Sequence, residues 1–243
     1  MKRTVLVLAL VAVSVSVCHA GIWGDLLDAV RKPGAAVQTT DDSTVIRGLK
    51  EALSIGTEHA VKSLSRTDGY YGNEAVRILL PEKIRGAADF LGRIGFKSQV
   101  DAFVVSMNRA AEQAAPKAAS FFVDALKEMT FEDAKGILSG GDTAATVYFE
   151  KKTRPRIFDA FRPVVEARMD EVGVARTYKE MAGKAAVVPF VDAEDLDLDR
   201  YITNKALDGL FTMVGQEEKK IRTNPAARVT ELLKTVFGSG QSK

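Results

Sequence analysis

Residues 98–129, SQVDAFVVSMNRAAEQAAPKAASFFVDALKEM, decide the fold class of this chain. Their apolar residues recur every three or four positions, which is the spacing of one face of an α-helix. This face runs from Val100 through Met107 to Ala114, and the pattern resumes after Pro116. The alternation of apolar and polar residues that marks a strand is absent, so two consecutive amphipathic helices are predicted.

The same spacing continues over most of the chain, from residue 44 to residue 238. Glycines and prolines separate the periodic stretches, and Thr130-x-x-Asp133 has the form of a capping box. Pro155 and Pro163 punctuate a further helix or pair of helices. We therefore predict an all-α protein: a single compact domain of about eight to ten short helices, packed as an irregular helical bundle.

The first 20 residues have the form of a secretory signal peptide. Lys2 and Arg3 precede an aliphatic run at residues 5–17, and small residues flank a cleavage position after Ala20. The run is too short to anchor the chain across a bilayer, so no transmembrane segment is predicted. The protein is expected to be secreted or periplasmic, and lipid attachment at Cys18 is the alternative. The predicted segments are a signal peptide at 1–20, a short amphipathic segment and linker at 21–43, the helical domain at 44–238 and a disordered tail at 239–243.

The charge balance changes when the leader is removed. The whole chain has 34 basic and 32 acidic residues. The leader contains Lys2, Arg3 and no acid, so the mature chain keeps 32 residues of each sign. A neutral chain of mixed sign has no electrostatic reason to bind nucleic acid or anionic lipid.

The mature chain also has few reactive side chains. Cys18 leaves with the leader, and His59 is then the one histidine. Thiol chemistry and disulfides are therefore excluded, a structural zinc site is disfavoured, and a Ser-His-Asp triad would have to use His59. A single histidine beside an apolar stripe is usually structural. No cofactor is predicted.

Polar side chains within Ala-rich or apolar helices form the candidate site. Asn108 and Glu112 are four residues apart, and Lys205 and Asp208 are three apart, so each pair shares a helix face. If these faces meet, they form a ligand pocket or hold carboxylates for acid–base chemistry. The alternative is an ion-pair network that fixes the register of the helices. The predicted pocket residues are Arg77, Asn108, Glu112, Tyr148, Glu150, Lys205 and Asp208.

An acidic run offers a weaker candidate, since carboxylate oxygens are ligands for calcium. A loop that starts at Asp195 has aspartates at its first, third and fifth positions, which are Asp195, Asp197 and Asp199. An EF-hand then requires Gly and Glu where the chain has Arg200 and Ala206. A solvated loop that favours the start of the next helix is the simpler interpretation.

The sequence Ser139-Gly140-Gly141-Asp142-Thr143 precedes a helix, where free backbone N–H groups would bind a phosphate. The glycine-rich motifs of nucleotide-binding loops are absent, and Asp142 would repel an anion. The end of one helix followed by the N-cap of the next explains these residues better.

Six stretches carry a resemblance to a known family. They are Gly48–Val61, Gly69–Ile84, Met107–Ala118, Thr130–Thr153, Leu198–Phe211 and Glu217–Gly238. Together they resemble the domain-of-unknown-function family 4197, whose members are mostly bacterial and exported, many of them as lipoproteins. The residue before Cys18 is Val17, which departs from the lipoprotein pattern. The resemblance implies an exported helical domain and assigns no catalytic or binding residue.

The leading hypothesis is an exported all-helical protein with a binding or structural role and no catalysis. One alternative is a carboxylate-based hydrolase that uses a pair among Glu112, Glu150 and Asp208, with carboxyl groups about 5–10 Å apart across a cleft. The other is a weak calcium-binding protein. The expected partner is a small molecule or another protein, and not a nucleic acid.

Overall fold

The computed structural model describes residues 42–173 and 197–224 of the chain. Within these ranges the secondary structure is helical, without a strand, which confirms the all-α prediction. A π turn, in which Ile94 and Gly95 depart from helical φ and ψ, joins the second helix to the third, and a 3₁₀ turn joins the third to the fourth. The elements are α1 Asp42–Ser65, α2 Glu82–Leu91, the π turn Gly92–Phe96, α3 Lys97–Ala114, the 3₁₀ turn Ala115–Lys117, α4 Ala118–Glu128, α5 Phe131–Ser139, α6 Ala144–Asp170 and α7 Leu198–Thr223.

The prediction of eight to ten short helices is wrong for the described part of the chain, which has seven α-helices, three of them long. Helices α1, α6 and α7 contain 24, 27 and 26 residues. Pro155 and Pro163 lie inside α6 and do not end it. Both prolines are exposed, so the helical hydrogen bonds that they remove lie on the outer face, where solvent satisfies the carbonyl groups.

The opposite face of α6 is a buried stripe that holds the helix in the bundle. Phe122 of α4 packs edge-to-face on Phe149 of α6, with ring centroids 5.2 Å apart. It also packs edge-to-face on Phe211 of α7, at 6.2 Å. The core therefore lies where α4, α6 and α7 meet, and α1 packs along α4 and α7. The members of the stripe recur every fourth residue and are fully buried: Phe149, Thr153, Ile157, Phe161, Val165 and Met169.

Between α1 and α2 the chain crosses the bundle without regular helix, and Tyr70 anchors it. The Tyr70 ring is fully buried, and its hydroxyl donates to the Ala206 carbonyl oxygen at 2.7 Å. The ring lies against Gly209, where an added Cβ would stand 2.7 Å from Tyr70 Cε1. Glycine at this position therefore allows the close approach of the tyrosine.

The capping box at the start of α5 is confirmed. Thr130 Oγ1 accepts a hydrogen bond from the backbone N–H of Asp133 at 3.1 Å. The Asp133 carboxylate accepts one from the backbone N–H of Thr130, also at 3.1 Å. Two N–H groups that the helix leaves without partners are thereby satisfied.

Helix α2 and the first turns of α3 form a hairpin that is less buried than the rest of the bundle, with Ile84, Ala88 and Val100 partly buried against the core. Of the side chains that the structure describes between Leu80 and Phe103, none is buried. The chain reverses at Gly95, whose φ of 101° lies in the region that favours glycine. Sequence spacing predicts a helix end at Gly95, and this backbone conformation is the physical reason for it.

In residues 42–173 and 197–224, no helix combines the length and apolar character that crossing a membrane requires. Several predictions concern other parts of the chain and lie outside the described residues. These are the signal peptide, the amphipathic segment and linker up to residue 41, the acidic run through Asp195, the helical spacing between residues 225 and 238 and the tail at 239–243.

Candidate functional site

The seven residues predicted to share one polar pocket lie in three separate places. One group surrounds the segment between α1 and α2, a second lies at the surface between α6 and α7, and one tyrosine stands alone. The first group contains Arg77, Asn108 and Glu112, the second contains Glu150, Lys205 and Asp208, and the isolated residue is Tyr148.

Glu112 of α3 binds backbone and not a second carboxylate. Its Oε1 accepts hydrogen bonds from the backbone N–H groups of Tyr70 at 3.1 Å and Tyr71 at 3.2 Å. Its Oε2 accepts from Arg109 Nη1 at 2.6 Å. The side chain is almost fully buried, so the carboxylate needs these three donors to offset the loss of water.

Asn108 holds the same segment one turn earlier on α3. Its Oδ1 accepts from the Ile78 N–H and its Nδ2 donates to the Ile78 carbonyl oxygen, both at 2.8 Å. Nδ2 also donates to the Val104 carbonyl oxygen at 2.8 Å. We call Asn108 and Glu112, with the backbone that they bind, the backbone clamp. The two side chains share a helix face as predicted, and both are used to satisfy buried backbone.

Arg77 lies at the exposed rim of the backbone clamp. Its Nε donates to the Tyr71 carbonyl oxygen at 2.5 Å, and its guanidinium lies 5.0 Å from the centre of the Tyr71 ring. Arg109 approaches the same ring at 5.9 Å and pairs with Asp68 at 2.8 Å. These contacts hold the loop against α3.

Tyr148 belongs to neither group. Its hydroxyl donates to the Ala125 carbonyl oxygen at 2.8 Å. Burial raises the pKa of Tyr148 to about 12. The phenol therefore keeps its proton at neutral pH and acts as a hydrogen-bond donor between α6 and α4.

The second group is an ion-pair network at the surface of α6 and α7. Arg154 Nη1 lies 2.8 Å from Glu150 Oε1, and Arg154 Nη2 lies 2.6 Å from Asp208 Oδ1. Lys205 Nζ lies 3.4 Å from the other oxygen of Asp208. Thus one guanidinium holds Glu150 and Asp208, and Glu112 belongs to the separate backbone clamp.

An open groove between α6 and α7 adjoins this network. Its lining comes from positions 154, 155, 158 and 162 of α6, which follow one helix face, and from the first turns of α7. The cavity has a volume of about 400 Å³. We call it the arginine groove, and it is lined by Arg154, Pro155, Phe158, Arg162, Asp197, Arg200 and Asn204.

The charges of the arginine groove are predominantly positive. Three of the lining residues are arginines and one is an aspartate. Arg162 pairs with Glu166 at 2.8 Å and with Asp197 at 3.2 Å. The hydrogen bond that Arg162 donates to Glu166 raises the pKa of Arg162, so this cation is charged at every physiological pH. Its side chain is nevertheless 43% exposed, so solvent and solutes reach it.

Two of the three aspartates considered for calcium lie in the described residues. Asp197 caps α7, with its Oδ1 accepting from the Arg200 N–H at 2.9 Å and its Oδ2 paired with Arg162. Asp199 lies in the first turn of α7 and is buried. Within residues 42–173 and 197–224, no group of three or more metal-binding side chains is assembled. Asp195 lies outside these residues.

The start of α6 has an unexpected cap. The N-cap residue Thr143 makes no side-chain capping bond, and Glu218 of α7 reaches the first turn instead. Glu218 Oε1 accepts from the Ala145 N–H at 2.9 Å, and Oε2 accepts from the Thr146 N–H and hydroxyl at 2.8 Å. These are the N–H groups that a phosphate would need, so a carboxylate of the chain itself takes the anion's place.

His59 lies on the surface of α1, with its side chain 58% exposed. Its Nδ1 is 3.6 Å from Glu217 Oε2. Among the contacts of the described residues, neither a serine nor a second acid completes a triad around it.

Sequence reasoning missed the arginine groove. Arg154, Arg162 and Arg200 stand in charged stretches that resemble ordinary solvated surface. Arg154 and Arg162 are eight residues apart, with Pro155 and Phe158 between them on the same face, and this pattern is the available signal. The pairing of that face with α7 depends on contacts between distant parts of the chain.

Together the fold and its polar groups define an all-helical domain with a buried backbone clamp and an open, arginine-lined groove. The family model of proteins of unknown function designated DUF4197 matches residues 39–238. The chain therefore belongs to the DUF4197 family, as the resemblance of its sequence indicates. No curated protein and no solved structure matches the chain.

Proposed function

We propose that this protein is an exported helical binding protein and that its ligand, a small anionic molecule, occupies the arginine groove. The observation that carries the proposal is the convergence of Arg154, Arg162 and Arg200 from two helices on one open cavity. The site is formed by side chains of α6 and α7, which pack against each other, and a preformed site is favourable for binding because little ordering is required.

The chemistry of the lining fits an anion that has an apolar part. Guanidinium groups bind carboxylate and phosphate oxygens through two parallel hydrogen bonds. Phe158 and Pro155 add apolar surface beside these donors, and Asn204 adds an amide. A volume of about 400 Å³ lies in the range of small-molecule sites, roughly 300–1,000 Å³.

A ligand in the arginine groove must compete with carboxylates of the chain for the guanidinium groups. Arg154 and Arg162 are already paired with carboxylates of the chain, at partly exposed positions. Pairs of this kind contribute only about 0–1 kcal/mol each, so a well-placed anion exchanges for them at low cost. Binding is therefore expected to weaken with increasing salt.

A binding role is favoured over hydrolysis by the positions of the carboxylates. Glu112 is held by backbone and Arg109 inside the bundle. Glu150 and Asp208 are bound to one guanidinium instead of facing each other across a cleft. Acid–base catalysis needs a carboxyl group that is free to exchange its proton with a substrate.

The proposal is tested by thermal unfolding in the presence of single anions at constant ionic strength. The probes are phosphate, sulfate, citrate, benzoate and a nucleoside monophosphate. A ligand at about one hundred times its dissociation constant adds about 2.7 kcal/mol. For a chain of this size that corresponds to a rise of roughly 5–10 °C in the midpoint.

Two variants locate the effect. Arg162→Gln should abolish the rise in the midpoint, since it removes one of the lining guanidinium groups. Arg156→Gln is the matched control, because Arg156 also lies on α6 but pairs with Asp124 and lies over Phe121, away from the groove. An equal rise in both variants, or no rise with any anion, would contradict the proposal.

Export is part of the proposal and has its own test. The leader at residues 1–20 supports it, and mass spectrometry of the protein recovered from its producing cell is expected to find an N-terminus at Gly21. A diacylglycerol-modified Cys18 would instead identify a lipid-anchored form. Protein that retains Met1 would contradict export.

A further inference from the structure

The end of the α2–α3 hairpin carries large apolar side chains that the described fold leaves exposed. Phe90 is 62% exposed, Leu91 41%, Ile94 53% and Phe96 47%. We call these four residues the apolar tip. Isolated apolar residues on a surface need no explanation, but four within seven consecutive positions form a patch.

The structure gives the apolar tip no role in the core. The π turn contains no buried residue. Fully buried side chains resume only at Phe103, and Ile84, Ala88 and Val100 are partly buried where the hairpin meets the core. The four apolar side chains of the tip lie outside these contacts and are exposed, unlike the enclosed lining of a small-molecule site.

Two cations lie at the apolar tip. Arg93 is inside it and Lys97 directly follows it, and the exposed acids Asp89 and Asp101 flank the segment. Lys97 Nζ donates to Asp101 Oδ2 at 2.6 Å, on the side of the hairpin that leads back to the core. This hydrogen bond raises the pKa of Lys97, so its ammonium group is charged at neutral pH.

We propose that the apolar tip inserts into the interfacial region of an anionic lipid bilayer, with Arg93 and Lys97 at the level of the headgroups. Aromatic and aliphatic side chains next to basic residues are the composition of interfacial membrane anchors. The neutral net charge of the mature chain gives no long-range attraction to lipid. The contact therefore depends on local apolar insertion, which the two nearby cations strengthen.

A second copy of the chain is a less suitable occupant. Four side chains that are roughly half exposed offer apolar surface on the order of 400 Å². A stable interface between two proteins buries about 800 Å² on each partner. Insertion into a bilayer has no such minimum, because each apolar side chain gains independently by leaving water.

The experiment uses fluorescence at the tip, so that binding by the leader is not mistaken for binding by the hairpin. The full chain is prepared as Trp23→Phe with Phe96→Trp, which leaves one tryptophan at the tip. The control is Trp23→Phe with Val147→Trp, because Val147 is also exposed, at 60%, but lies on α6. Vesicles contain phosphatidylcholine alone or an equal mixture with phosphatidylglycerol.

With anionic vesicles the tryptophan at position 96 is expected to emit at shorter wavelength and to be quenched by brominated acyl chains, whereas the tryptophan at 147 is unchanged. Adding Ile94→Asp to the tip probe should weaken vesicle binding at least about tenfold, since an inserted charge is costly. Adding Arg93→Gln and Lys97→Gln should weaken it about tenfold on anionic vesicles and little on neutral ones.

Three results would overturn the inference. The first is an unchanged spectrum at position 96 with both kinds of vesicle. The second is vesicle binding, measured by the emission of the tryptophan at position 96, that Ile94→Asp leaves intact, which would show that the tip does not insert as proposed. The third is a dimer in lipid-free solution that Ile94→Asp dissociates, which would assign the tip to a second copy. None of these results depends on a ligand in the arginine groove.

Discussion

The backbone clamp and the arginine groove use similar side chains in opposite ways. In the clamp, Asn108 and Glu112 are buried and bind backbone groups of a segment more than 25 residues earlier in the chain. In the groove, Arg154 and Arg162 are partly exposed and pair with other side chains. Polar contacts therefore fix the structure in the clamp. In the groove they leave ion pairs that a ligand can displace.

The difference teaches that burial decides which polar groups are structural. A buried acceptor that loses its donor, or a buried donor without an acceptor, costs about 1–3 kcal/mol because water cannot replace the partner. An exposed ion pair costs little to separate, because water and salt replace it. Four substitutions test this difference, from the largest expected effect to the smallest. Two are in the clamp, one is in the exposed capping box of α5, and one is in the ion pairs beside the groove.

Glu112→Ala is expected to have the largest effect, a loss of about 3–5 kcal/mol in the free energy of unfolding. It leaves the N–H groups of Tyr70 and Tyr71 without their acceptor and removes one partner of Arg109. Glu112→Gln keeps an acceptor and should lose less. Urea denaturation measures both, and a loss below about 1 kcal/mol for Glu112→Ala would break the distinction between the two regions.

Asn108→Leu should cost about 2–4 kcal/mol, because both the N–H and the carbonyl group of Ile78 lose their partner. Gln113→Leu is the control, since Gln113 is an exposed amide on the same helix. Its effect should stay within about 0.5 kcal/mol. Equal losses in the free energy of unfolding for the two substitutions, measured by urea denaturation, would show that burial of the amide does not determine its contribution to stability.

Asp133→Asn should cost about 1 kcal/mol at neutral pH, because it weakens the capping box of α5. The hydrogen bond from the Thr130 N–H holds the pKa of Asp133 below its ordinary value. A carboxyl group with a lowered pKa in the folded state stabilises the protein above the pKa of the unfolded state, near 3.9, and this contribution is lost as the pH falls further.

The difference between wild type and Asp133→Asn should therefore persist from pH 7 to about pH 5 and shrink below about pH 4. Thermal unfolding across this range measures it. Glu132→Gln is the control, since Glu132 lies in the same first turn and is exposed. A pH-independent difference would mean that the charge of Asp133 does not contribute.

Asp208→Asn should have the smallest effect, at most about 0.5 kcal/mol, because its pair with Arg154 is exposed to solvent. A double-mutant cycle with Arg154→Gln should give a coupling energy below about 1 kcal/mol, and smaller still at high salt. A coupling energy as large as the effect of Glu112→Ala would show that the Arg154–Asp208 pair is structural. It would count against the displacement of this pair by a ligand.

The helical class and several local features could be predicted from the sequence because they depend on neighbours in the chain. The three- and four-residue spacing identifies the helices, Thr130 and Asp133 identify a cap, and Asn108 and Glu112 are correctly placed on one face. Each of these depends on residues at most four apart.

The number of helices and the partners of the polar residues could not be predicted in the same way. Pro155 and Pro163 are tolerated because they are on the outer face of α6, and that face is known only once the stripe on the other side is packed. The partner of Glu112 is the backbone of Tyr70, 42 residues away. Nearly every residue has a backbone N–H group, so the sequence does not show which of these groups Glu112 binds.

The cap that Glu218 provides for α6 links two parts of the chain 72 residues apart. The amide protons of Ala145 and Thr146 would otherwise exchange with solvent whenever the end of α6 frays. Since their acceptor belongs to α7, exchange requires α7 to separate from α6. These two protons should consequently exchange as slowly as those in the middle of the bundle. Their exchange rates would then report whether α6 and α7 separate only when the described bundle unfolds.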